Sequence, residues 1–73
     1  MKQYSVVRIK RLKKQFEHSD LSVGTRAPRA GDVATVVDVY DDAFDLECSD
    51  DDGSTLWLEL FRPDDADLDI VSI

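Results

Sequence analysis

GDVATVVDVYDDAFDLECSDDDGSTLWLEL, residues 31–60, carries apolar residues at nearly every second position and is interrupted twice by acidic clusters. A repeat of two belongs to a strand whose faces meet different surroundings, and β-branched and aromatic side chains suit a pleated surface. Residues 32–40 predict one strand, with Val33, Val36, Val37 and Val39 after the break at Gly31. Asp38 has to face water, so Val37 and Val39 are expected to point into the core. Asp41-Asp42 fits a tight turn, and beyond it Phe44, Leu46 and Cys48 alternate with Asp45, Glu47 and Ser49. Asp50-Asp51-Asp52-Gly53-Ser54 is a hairpin signal, because glycine accepts positive φ without steric cost. Residues 55–61 then predict a strand with Leu56, Leu58 and Leu60 on the core face and Thr55, Trp57, Glu59 and Phe61 on the other.

Outward from this run the signals weaken. Residues 4–9 predict a strand that puts Val7 and Ile9 on one face and Arg8 and Lys10 on the other. From residue 10 to residue 31 the alternation dissolves, with Ser19, Asp20, Gly24, Pro28 and Gly31 as breakers. A long loop is expected there, with one helical turn at residues 13–17 and with Leu12, Phe16, Leu21 and Val23 pinning it to the body. Such a length is unusual in a small domain and points to a functional excursion or a mobile one. Pro63 ends the fourth strand, a short turn covers residues 63–67, and residues 68–73 offer a last strand. These features describe an all-β chain, a small five-stranded SH3-like barrel with a long first loop. Val7, Ile9, Val37, Val39, Phe44, Leu46, Leu56, Leu58, Leu60 and Ile70 form its expected core.

At 73 residues the chain makes a single domain, residues 1–73, and its 42% hydrophobic and 34% charged content is that of a folded domain. One cysteine, Cys48, excludes an internal disulfide, and with His18 it is too little for a zinc site. No cofactor and no metal are expected. No apolar stretch of signal-peptide length follows the N-terminal charges, and no eighteen apolar residues run together, so the expectation is a cytoplasmic protein without a membrane partner. The charge is uneven. Residues 1–31 carry a net +6 and residues 32–73 a net −13. Either the halves neutralise each other or one acidic and one basic face steer a charged partner.

The features Gly31-Asp32-Val33-Ala34-Thr35-Val36-Val37, Val39-Tyr40, the acidic turn, the alternating strand from Phe44, Asp52-Gly53-Ser54-Thr55 and Leu68 resemble the small bacterial proteins grouped as domain of unknown function 4926. Those read G-D-x-G-T-V-V-x-x-Y, then an alternating strand, then D-x-x-G-x-T and a closing leucine. The resemblance spans about residues 20–72 and departs at Ala34, where that family favours glycine, and in the basic loop. More distantly it extends to accessory barrels such as photosystem I subunit IV and the nitrile hydratase β subunit. It implies a barrel that docks or braces a partner without chemistry of its own, and an immunity or antitoxin-type inhibitor as one form of that role.

The residues themselves point the same way. Cys48 to Glu59 matches a calcium loop at several positions, but its first place holds a soft thiol and its flanks read as strands, so a solvated hairpin is expected. Ser22, Ser49 and Ser54 have only His18 as a base, with nothing to fix its geometry, and Cys48 reads as a buried, unreactive thiol. An enzyme is not expected. The expected partner-binding residues are Trp57, set partly exposed beside Tyr40 or Phe61, with Tyr40, Asp41, Asp42, Asp50, Asp51 and Asp52 facing a basic protein. The alternative is nucleic acid, contacted by Arg8, Lys10, Arg11, Lys13 and Lys14 against the repulsion of the acidic half. The expected oligomeric state is a monomer or weak homodimer.

Overall fold

In the computed structural model, which describes residues 2–72, the alternating segments become strands β1 (Val6–Leu12), β2 (Val33–Val39), β3 (Phe44–Ser49), β4 (Thr55–Phe61) and β5 (Ala66–Ser72), with one 3₁₀ turn at Pro63–Asp65. All pairings are antiparallel, in the order β4-β3-β2-β1-β5. The chain is all-β, five strands in one sheet. Among the described residues no ladder joins β4 to β5, so the sheet is open. No helix among the described residues is long and apolar enough to cross a membrane.

The first strand begins two residues later than its composition predicts. Tyr4 has φ 70, a left-handed conformation, and the Ser5 N–H donates to the Lys2 carbonyl at 3.0 Å, so the chain turns before it extends. β1 then runs on to Leu12, through residues expected in the loop, because β5 supplies acids opposite its bases: Arg8 faces Asp69 and Arg11 faces Asp67.

The core consists of Val7, Ile9, Ala34, Val36, Phe44, Leu46, Cys48, Trp57, Phe61 and Ala66. Two of the expected faces are corrected. On β2, Val36 opposes Leu46 and Asp38 opposes Asp45, leaving Val37 as the extra residue of a bulge. Ala34 and Val36 therefore take the core, Val37 is half-buried, and Val39 stays on the inner side at the open end of the sheet, 46% exposed. On β4 the inner face belongs to Trp57, Glu59 and Phe61, which oppose Cys48, Leu46 and Phe44. The leucines expected inside are instead half-buried at Leu56 and Leu58 and exposed at Leu60. Aromatic rings carry more burial area than leucines, and here they also find each other. Phe61 lies 4.5 Å from Phe16, 5.8 Å from Trp57 and 6.3 Å from Phe44, ring centre to ring centre. Ile70, also expected in the core, is 51% exposed at the end of β5.

The long loop between β1 and β2 forms no helical turn. Its start is extended because the Lys13 N–H donates to the Asp65 carbonyl at 2.8 Å and Phe16 is drawn over Phe61. Its far limb crosses to the other edge of the sheet, where Gly24 pairs with Trp57 and the Thr25 N–H donates to the Leu56 carbonyl at 2.8 Å. The loop is thus a strap across the gap between β5 and β4. Leu12 and Phe16 pack on the core as expected, whereas Leu21 and Val23, expected to pin the loop, are 96% and 50% exposed.

Candidate functional site

Residues 40–43 turn the chain from β2 into β3, closed by the Tyr40 N–H donating to the Ala43 carbonyl at 2.8 Å. Val39, displaced onto the inner side by the bulge, faces an opposite wall made by the 3₁₀ turn and the start of β5. Between them lies a groove of about 370 Å³ floored by Val39, Ala43, Phe44, Pro63, Ala66 and Leu68 and rimmed by Tyr40, Asp41 and Asp42. An apolar floor with a few polar groups at the rim is the usual make-up of a binding cleft. Tyr40 is 47% exposed, and its Oη donates to Asp45 Oδ2 at 2.7 Å, which orients the ring. That bond holds the phenol proton, and with the charge of Asp38 nearby it pushes the phenol up to about 12. Arg62 reaches over from the far wall and places Nη1 3.3 Å from Asp42 Oδ2.

Of the residues expected to bind a partner, Tyr40, Asp41 and Asp42 come together here. Asp50, Asp51 and Asp52 do not. They sit at the other end of β3, six residues long, roughly 20 Å away at strand spacing. That turn is satisfied internally: Asp50 Oδ1 accepts from the Asp52 and Ser54 N–H groups at 2.9 and 3.0 Å, and Gly53 takes φ +83.

The expected exposure of Trp57 is overturned. The residue is fully buried, and its indole N–H donates to Asp32 Oδ2 at 2.8 Å. Asp32 also takes both arms of Arg26, Nη1 to Oδ2 and Nη2 to Oδ1, each at 2.8 Å, and the Arg29 N–H at 2.9 Å. Burial works against the carboxylate, but the bonds from Arg26, Trp57 and Arg29 outweigh it and hold the Asp32 carboxyl below its ordinary range. This corner anchors the strap. The sequence held a usable signal for it, since a buried tryptophan needs an acceptor and Asp32 stands beside the alternating run.

The basic segment is matched by β5. Lys10 Nζ lies 3.7 Å from Asp69 Oδ1, while Arg11 Nη2 and Lys13 Nζ each lie 3.0 Å from an Asp67 oxygen. Lys13 first, then Arg11, draws the Asp67 carboxyl down. Lys14 lies over the Phe16 ring at 5.0 Å. A phosphate chain approaching Lys10, Arg11 and Lys13 would therefore meet two carboxylates already there. Among groups with reactive chemistry, Cys48 is buried and its thiol is pushed up by desolvation and by Asp32, and His18 is exposed in the loop. Glu59 lies on the inner face of β4, away from the turn of Asp50 and Asp52, so the residues of the calcium-loop pattern are not gathered.

No family model, curated protein or solved structure matches this chain. The reading of the groove rests on its own geometry.

Proposed function

We propose that the chain is a non-enzymatic interaction module that docks a basic segment of another protein in the groove between residues 39–44 and the start of β5. The observation that carries this reading is the pairing of an apolar floor with a rim bearing Asp41 and Asp42, on a chain of net charge −7. A segment with alternating apolar and cationic residues satisfies both. The strand order, the long β1–β2 loop and the single 3₁₀ turn before β5 support taking the sheet as a small SH3-like barrel with the strap closing its gap. Inhibition of a basic enzyme is one form of such docking.

The test is an NMR titration with a short peptide of alternating arginine and leucine. Shifts confined to residues 39–44 and 63–68, weakened by Tyr40→Ala and by Asp42→Asn, are the expected result. Shifts spread over β1, or competition by a DNA oligonucleotide with a steep salt dependence, would move the binding surface to Arg8 and Lys14 and end this reading.

A further inference from the structure

Residues 32–73 hold fourteen acids and one base, Arg62. That base is placed at the mouth of the groove. Phe44 and Phe61 form the last pair of the β3–β4 ladder, so the chain leaves β4 beside the turn of residues 40–43. Pro63, the next residue, disfavours helical angles at Arg62, which takes φ −104 and ψ 160. The 3₁₀ turn then fastens both main-chain groups of Arg62: its N–H donates to Asp65 Oδ2 and its carbonyl accepts from the Asp65 N–H, each at 3.0 Å. With its backbone fixed beside Pro63 in the far wall, the side chain reaches the rim and meets Asp42 Oδ2 at 3.3 Å.

The contact is of a kind that a ligand can replace. It is one hydrogen bond at 3.3 Å, against the two of 2.8 Å that join Arg26 to Asp32, and its partners keep 62% and 75% of their side-chain exposure. Exposed pairs with such geometry hold weakly. Weak as it is, the pair engages the carboxylate that a cationic side chain lying over the apolar floor would take.

We propose that Arg62 is an internal competitor for the groove: its guanidinium stands where a cation of the docked segment belongs, and docking displaces it from Asp42. The proposal rests on the groove reading above and adds the regulation of that site. An arginine of the segment can take Asp42 through two N–H groups, which exchanges a single bond for a bidentate pair. An uncharged segment has nothing to offer Asp42 and leaves the internal pair in place. Arg62 thus keeps the rim neutralised until a segment of the right charge arrives.

The experiment titrates the peptide of alternating arginine and leucine into the full chain, its Arg62→Gln and Asp42→Asn variants, and the double variant. Arg62→Gln should bind the peptide about two- to fivefold tighter than wild type. Most of that gain should vanish in the Asp42→Asn background, where no internal pair is left to break. In the wild type the side-chain Nε–H resonance of Arg62 should move as the peptide binds. An equal gain in both backgrounds would reduce Arg62 to its charge and overturn the proposal. So would an Arg62 resonance that stays put, or weaker binding by Arg62→Gln, which would make Arg62 part of the docking surface itself. If Asp42→Asn weakens the peptide while Arg62→Gln changes nothing, the groove reading stands and the competitor falls. If none of the four proteins binds the peptide, both fall.

Discussion

Arg26 with Asp32 and the ladder of Lys10, Arg11 and Lys13 with Asp67 and Asp69 use the same chemistry and meet different solvent. At the corner the two side chains keep 23% and 13% of their exposure, and the carboxylate also serves an indole and a backbone N–H. Along the ladder every partner keeps between 41% and 68%. Coulomb attraction between exposed charges is weak in water and screened by salt, so the ladder sets the register and neutralises β1 without fastening it strongly. Removing one partner of a desolvated pair leaves the other stranded, and that penalty makes the corner costly to break. The corner pair thus holds a loop, while the pairs of the ladder keep a strand quiet.

The sharpest way to break this comparison is Asp32→Ala, which strands the guanidinium of Arg26 and the N–H of Trp57 together. A loss of about 3 kcal/mol is expected, read as a lower urea midpoint at unchanged slope. A midpoint equal to wild type would make the corner no different from the ladder. Next comes Gly24→Ala. The residue sits at φ +90, and an added Cβ would fall 2.2 Å from the Leu56 carbonyl oxygen, so the strap must lift from β4. The expected loss is about 2 kcal/mol, with faster exchange at the Thr25 amide as its local sign.

Acid separates the two sites by degree. The folded Asp32 carboxyl lies below its unfolded value, so its contribution is present above about pH 4 and drains away as pH falls through the lower folded value. Asp67 is drawn down as well, but at an exposed position. Stability measured below about pH 4 should fall with a slope that Asp32→Asn flattens clearly and Asp67→Asn only slightly. The smallest effect belongs to Asp67→Asn at neutral pH, where the midpoint should stay near wild type and the residual difference should vanish in about 0.5 M salt. A large, salt-resistant loss would show the ladder to be structural after all.

How much of this was legible in the sequence depends on the kind of contact involved. Strand identities were written in period two, and β3 and β4 occur at the residues where alternation placed them. Which face turned inward was not: on β2 the bulge at Val37 shifts the phase, and a bulge has no mark in residue spacing. On β4 the choice lay between three leucines and two aromatic rings, and it was decided by Phe16, Phe44 and Asp32, all distant along the chain. Tyr40, Asp41 and Asp42 were readable as one turn and proved to be one rim. The walls they face, Pro63, Ala66 and Leu68, became neighbours only through β5 crossing to β1.

That crossing has a consequence in time. β2, β3 and β4 form a meander joined by short turns, and each hairpin can close as soon as its residues exist. β1 can reach β2 across the long loop, but its other edge has to wait for the far end of the chain, since residues 6–12 pair with residues 66–72. Closing so long a span is entropically expensive, and contacts of such sequence separation are the slow ones in folding. Until β5 arrives, the bases of β1 lack their neutralising neighbours. An early chain is therefore a different electrostatic object from the finished one, with a bare cationic ribbon that polyanions can reach and that the last strand then hides.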